Sequence, residues 1–256
     1  MIKHLRRIYI GLILIFLYAP IAVLIVLSFN NSKSRVVWGG FTLDWYKNLF
    51  TNEIIISAFG TTILLALLSA LIATAIGLLA SLGINQMRRK QTQIMMFFTN
   101  IPLVNADIVT GIALMLWFIR FLPLGFTSVL LAHITFNIPY VILCILPKLK
   151  QVDNSQYEAA RDLGATSSKA FFQIIFPSIL PGIISGFFMS VTLSMDDFVI
   201  TYFTKGAGVN TLSTMIYGEI RKGIKPEMYA LSTVMFFIIL VLLLAVNYLP
   251  GRKENK

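Results

Sequence analysis

Charge is scarce in this chain. Only 12% of its 256 residues are charged and 57% are hydrophobic, whereas soluble domains carry roughly 25% charged and 45–50% apolar residues. That balance excludes a water-soluble globule. The only cysteine, Cys144, lies inside an apolar run, which excludes a disulfide framework and a thiolate metal centre. The only histidines are His4 and His133, too few for a metal cluster, and His133 reads as a helix-packing residue. There is no phosphate-binding loop: residues 218–223 have the glycine spacing, but Ile224 stands where the essential Lys belongs. With no nucleophile, base or metal set, the sequence offers no catalytic residue, no metal ligand and no cofactor held by this chain, and a membrane enzyme is the least favoured reading. The net charge of +10 gathers at the ends of apolar runs, where it writes membrane topology rather than a nucleic-acid footprint.

Long apolar runs are what the chain has in abundance. They cover residues 8–29, 54–82, 94–119, 126–146, 179–203 and 229–249, each near the length of about 20 residues that crosses a bilayer. The first run exceeds the roughly 7–15 residues of a signal-peptide core and no Ala-x-Ala site follows it, so it reads as a retained span. The expectation is an all-α polytopic membrane protein, a single domain over residues 1–256, with six transmembrane helices and both termini cytoplasmic. Lys and Arg agree in direction, thirteen falling on the inner side and eight on the outer. Pro20, Pro102 and Pro139 are predicted to kink or break their spans, with the freed carbonyls satisfied inside the bundle. Small residues recur every four positions at Ser69, Ala73, Gly77, Ser81 and at Gly182, Gly186, Ser190, Ser194. Such stripes let helices approach closely, either within the subunit or against a partner.

One long polar segment interrupts this pattern. Residues 154–163 carry Glu158, Arg161 and Asp162 around Ala159 and Ala160, with Asp153 or Ser155 as the cap and Gly164 as a stop signal. Helical character resumes through residues 165–176, and Pro177 is expected to close it before the next span. Glu158, Ala159, Ala160, Gly164, Ile174 and Pro177 at this spacing resemble the cytoplasmic EAA loop of ABC-importer permeases, with Phe176 where that pattern has Leu. The resemblance implies a type I importer permease fold in which residues 154–177 form a coupling helix seated on an ATP-hydrolysing subunit. The bland alternative is an amphipathic linker between two spans.

Three acids fall in or at the edge of apolar runs: Asp107, Asp196 and Asp197. An ionised carboxylate at a helix centre costs about 2.5–3.5 kcal/mol on insertion scales, so such residues face a cavity or a partner. No Lys or Arg lies deep in any run to pair with them, which leaves water or a passing cation. Counted along straight helices at about 1.5 Å per residue, Asp107 lies about 20 Å and Asp196 about 26 Å from the cytoplasmic ends of their runs, at similar heights. The alternative is that these acids cap helix ends. Trp45 and Tyr46 present either cation–π faces or interfacial anchors, and Ser194 either faces the pathway or packs in its stripe.

The stretches SMDDFVI at residues 194–200, NADIV at 105–109 and FTLDWYKNL at 41–49 look like the corresponding segments of spermidine/putrescine importer permeases, specifically the second permease of the pair. That resemblance runs from the first span to the last. It implies a multi-pass subunit of the bacterial cytoplasmic membrane carrying polyamines past Asp107, Ser194, Asp196, Asp197, Trp45 and Tyr46. The implied partners are a second permease, two ATP-binding subunits holding ATP and Mg, an extracytoplasmic polyamine-binding protein, and membrane lipid; Lys205, Arg221, Lys222 and Lys225 either pair with the acids of that binding protein or form a solvated basic loop. Rival readings are a permease for iron, thiamine or sulfate, and a stand-alone secondary transporter or channel.

Overall fold

The computed structural model describes residues 2–32, 37–222 and 225–251; the side chains of residues 2–5, 222 and 245–251 are left aside. Lys33, Arg35, Gly223, Ile224, Arg252, Lys253 and Lys256, used above for topology or for the phosphate-loop test, lie outside the described residues, and so do the side chains of Lys3, His4 and Lys222. The described elements are helical: α1 (Ile2–Ser28), α2 (Asp44–Thr51), α3 (Glu53–Gln86), α4 (Arg89–Val104), α5 (Asp107–Phe118), α6 (Phe126–Lys150), α7 (Asn154–Asp162), α8 (Ser167–Ala170), a π-helical turn (Phe171–Ile175), α9 (Phe176–Asp196), α10 (Val199–Thr204), α11 (Leu212–Lys222) and α12 (Pro226–Gly251). Five helices are long and apolar enough to cross a membrane, or six if the bent pair α4–α5 is one span. The all-α, multi-span architecture is as expected.

The contacts divide the chain into two compact units. The first comprises Met1–Ser57 and Met215–Leu240. Here α1 carries Pro20 without a break, and the loop after it folds back through a single antiparallel bridge between Asn30 and Phe41. Asn30 is buried and ties that loop together. Its amide donates to the Val37 carbonyl (2.9 Å), and its side-chain oxygen accepts from the backbone N–H of Ser32 (3.1 Å) and Gly39 (2.8 Å).

The second unit comprises Ala58–Thr214 and Val241–Lys256. Its centre is the pair α6 and α9. Both small-residue stripes are buried here, Ser69, Ala73, Gly77, Ser81 on α3 and Gly182, Gly186, Ser190, Ser194 on α9. Their open alternative thus resolves to packing within this subunit. A Cβ on Gly77 would meet Val141 Cγ1 at 2.6 Å, and one on Gly182 would meet the Cys144 carbonyl at 2.8 Å, so both α3 and α9 press against α6 at backbone range. Polar bonds join the same three helices. The hydroxyls of Ser69 and Ser194 lie 2.9 Å apart, and the Asn137 amide donates to Ser194 Oγ at 2.8 Å. All three residues are buried, where an unmet polar group is costly.

One expected break is present and two expectations need correcting. The run 94–119 is two helices meeting at 104°, with Asn105 and Ala106 extended between them, as the proline in it foretold. Pro102 sits inside α4, and the break follows it by two residues. The run 179–203 ends as a helix at Asp196, turns at Asp197 and restarts as α10, because the Asp197 side chain competes for the backbone N–H groups that start the next helix. Pro177 does not close a helix. The preceding turn widens to π geometry, with the Phe176 N–H bonded to the Phe171 carbonyl, and the helix continues from Ser167 to Asp196. Widening the turn lets a residue without an N–H be absorbed rather than ending the helix.

Candidate functional site

The polar segment forms as its residues dictate. Asp153 caps α7, its Oδ1 accepting from the Ser155 N–H at 3.0 Å. That bond holds the exposed Asp153 carboxyl below its ordinary range. At the other end the Gly164 N–H bonds the Arg161 carbonyl (2.9 Å) and the Ala165 N–H bonds the Ala160 carbonyl (3.0 Å), a pair that closes a helix only if the residue between turns left-handed. Gly164 does so, with φ of +88°. Thr166 then caps α8 through the Lys169 N–H at 3.3 Å.

The result is a nine-residue helix, Asn154–Asp162, with no buried residue. Glu158 and Ala159 are exposed, Ala160 and Ile174 half-buried, and Gly164 and Pro177 exposed. Leu163, which the motif reading passed over, is 89% exposed just beyond the helix. Beside α7 lies a cavity of about 390 Å³ lined by Asn85, Gln86, Leu149, Tyr157, Glu158 and Phe171 among others.

The acids gather around the two helix breaks of the second unit. Asp107 is the first residue of α5, directly after the 104° bend; it is exposed, and no side chain caps that helix. One turn further on, a Cβ at Gly111 would touch Phe203 at 3.2 Å and Ile200 Cα at 3.4 Å, so α5 lies close along α10. On α4 and at its end, Phe97, Asn100, Ile101, Val104 and Asn105 line an open hollow of about 520 Å³. Asn100 and Asn105 were missed by a search for charge, and their place beside a proline-bearing break was the available signal.

Asp196 and Asp197 part company. Asp196 is exposed at the end of α9, whereas the Asp197 side chain is only 9% exposed. Asp197 accepts from the N–H groups of Ile200 (3.2 Å) and Thr201 (2.7 Å) and from the Thr201 hydroxyl (2.7 Å), and lies 3.4 Å from His133 Nε2. The expectation that no partner exists for these acids fails for Asp197: a count of Lys and Arg overlooked the buried imidazole. Ser194 is buried in the bonds to Ser69 and Asn137, which makes it a packing residue in this conformation. Trp45 and Tyr46 belong to the first unit and anchor its loop. The Trp45 indole N–H donates to the Asn30 carbonyl at 2.8 Å, and the Tyr46 hydroxyl lies 2.6 Å from Ser28 Oγ, with its ring 5.2 Å from that of Phe29. Among the described residues no group of three His, Cys, Asp or Glu could hold a metal ion.

Residues 73–252 match the family described as binding-protein-dependent transport system inner membrane component. The chain belongs to that family. This transport-system component is 36% identical over 249 residues to the putrescine transport system permease protein PotI of Escherichia coli (strain K12), covering 94% of this chain and 89% of the relative. It is 34% identical over 252 residues to the spermidine/putrescine transport system permease protein PotC of Haemophilus influenzae, covering 98% of each. Among solved structures, a chain of a bacterial alginate ABC transporter, crystallised with an alginate pentasaccharide-bound periplasmic protein, superposes with a TM-score of 0.71 at 18% identity, over 100% of this component and 95% of that chain. The shared fold is that of a type I ABC-importer permease.

Proposed function

We propose that this chain is one of the two permeases of an ATP-driven importer that carries polyamines, spermidine or putrescine, across the bacterial cytoplasmic membrane. The observation that carries the cargo is near end-to-end similarity to permeases named for those amines. The geometry is compatible: Asp107 and Asp196 are exposed carboxylates at helix breaks, where a chain of ammonium groups gains charge-assisted contacts that a single small cation gains less of. Asp197 and Ser194 act from behind Asp196 through the hydrogen bonds they make, and Trp45 and Tyr46 hold the loop of the first unit. ATP and Mg bind to separate ATPase subunits. Their closure pushes α7, seated through Glu158, Ala159, Ala160 and Leu163, and rocks the bundle between outward and inward access. Both termini and α7 then lie on the cytoplasmic side, and the face opposite receives the polyamine-binding protein.

Uptake of labelled spermidine and putrescine by cells lacking the gene tests the cargo, with ferric iron, thiamine and sulfate as controls. Uptake of the two amines falls while the controls hold; unchanged amine uptake with loss of another solute assigns the chain to that solute. Glu158→Lys tests the motor contact. The expected outcome is an intact permease that no longer co-purifies with its ATPase.

A further inference from the structure

Helix α10 is only six residues long, yet both its ends are tied to α6. At its start, Asp197 takes the N–H groups of Ile200 and Thr201. The Thr201 hydroxyl has one hydrogen, and it goes to Asp197 Oδ2 at 2.7 Å. Its oxygen therefore accepts from His133 Nε2, 2.8 Å away. Since both neighbours of Nε2 are acceptors, the imidazole hydrogen sits there; Nδ1 has no partner among the described residues. At the other end the buried Ser128 hydroxyl, on α6, lies 2.7 Å from the Thr204 carbonyl and 2.8 Å from the Gly125 carbonyl, the two acceptors of its one hydrogen. Ser213 adds a third tie, its hydroxyl donating to the Asp197 carbonyl at 2.7 Å. His133, Thr201 and Thr204 are fully buried, so water does not compete for these bonds. The Asp196 side chain, one residue earlier, remains exposed.

We propose that His133 is a positioning residue of transport: through Thr201 and Asp197 it holds α10 on α6, so that Asp197 is a cap and Asp196 alone of the two adjacent acids meets cationic cargo. The part concerning Asp196 rests on the polyamine reading; the clamp itself does not. Because α10 lies against α5 at Gly111, the clamp also makes α6, α10 and α5 one moving body, and loosening it slows turnover without altering the carboxylate that cargo touches.

The test uses the complete importer, purified and reconstituted in liposomes, with uptake expressed per assembled complex. Asp196→Asn is expected to raise KM for spermidine about tenfold, the size of one lost hydrogen bond to a charge, with an unchanged melting temperature. His133→Leu and Thr201→Val are expected to lower both the melting temperature of the cargo-free complex and the turnover, about tenfold for the latter, at unaltered KM. The conservative His133→Gln and Thr201→Ser, which keep a donor or a hydroxyl in place, recover most of the turnover. Asp197→Asn raising KM as Asp196→Asn does, at full stability, overturns the division between the acids. If His133→Leu lowers only yield, with wild-type turnover per complex, the positioning role is overturned. If spermidine does not enter even with the wild-type importer, the cargo reading fails, and the melting of the cargo-free complex still decides the clamp.

Discussion

Two neighbouring membrane segments, α4 and α6, belong to one unit and differ completely in burial. From Ser128 to Leu149, α6 buries residue after residue, including His133 and Asn137. Helix α4 buries none, and bares Ile94, Phe97, Phe98, Ile101 and Val104. A soluble protein would reverse this, placing the phenylalanines inside. In lipid the tails are as apolar as a phenylalanine ring, so burying apolar surface drives no association; close backbone approach and polar bonds do. Helix α6 has both, from Gly77, Gly182 and Gly186 pressed against it and from its bonds to Ser194, Thr201 and Asp197. Apolarity thus says that a segment enters the membrane, while small and polar residues say where it is buried.

The strongest way to break this contrast is to spoil the close approach. Gly182→Leu puts a branched side chain where a Cβ alone would lie 2.8 Å from the Cys144 carbonyl, and overpacking of that kind costs about 3 kcal/mol. The expected outcome is little folded protein in detergent extracts; wild-type yield and melting would mean that α9 does not press on α6. A smaller loss follows from Asn137→Leu, which removes the donor to Ser194 and is expected to cost about 1 kcal/mol, as interhelical hydrogen bonds in membranes do. Thermal unfolding of the solubilised chain reads it. Val104→Ala, at a side chain 87% exposed on α4, should move the same melting curve by no more than about 0.5 kcal/mol. A larger shift would show that the chain itself covers α4.

The smallest effect concerns α7, which also buries nothing. Because the Ser155 N–H holds the Asp153 carboxyl low, the cap is intact at neutral pH. It is lost only as the pH falls below the ordinary Asp range, about pH 4. Hydrogen exchange at the first α7 amides is expected to quicken there, and Asp153→Asn should flatten that dependence.

How far the sequence could be read depends on the range of the interactions. The caps, the left-handed Gly164 and the exposed helix between them were legible because each rests on bonds spanning at most five residues. The all-helical, multi-span class was legible because backbone groups must satisfy themselves in lipid. The absorption of Pro177 into a widened turn was not, although local, because a proline signals a disturbance without stating whether the helix stops or bulges. The heights reckoned for Asp107 and Asp196 along straight helices lost their basis at the 104° bend.

By itself, then, the sequence determined that this chain enters a membrane several times and where a capped polar helix interrupts its apolar runs, since hydropathy and capping act over one helix length. Tertiary structure alone decided which of two adjacent aspartates is spent as a cap, which stripes meet which helix, and that His133 stands behind the break. These depend on residues such as His133 and Thr201, 68 positions apart, whose meeting no local pattern records.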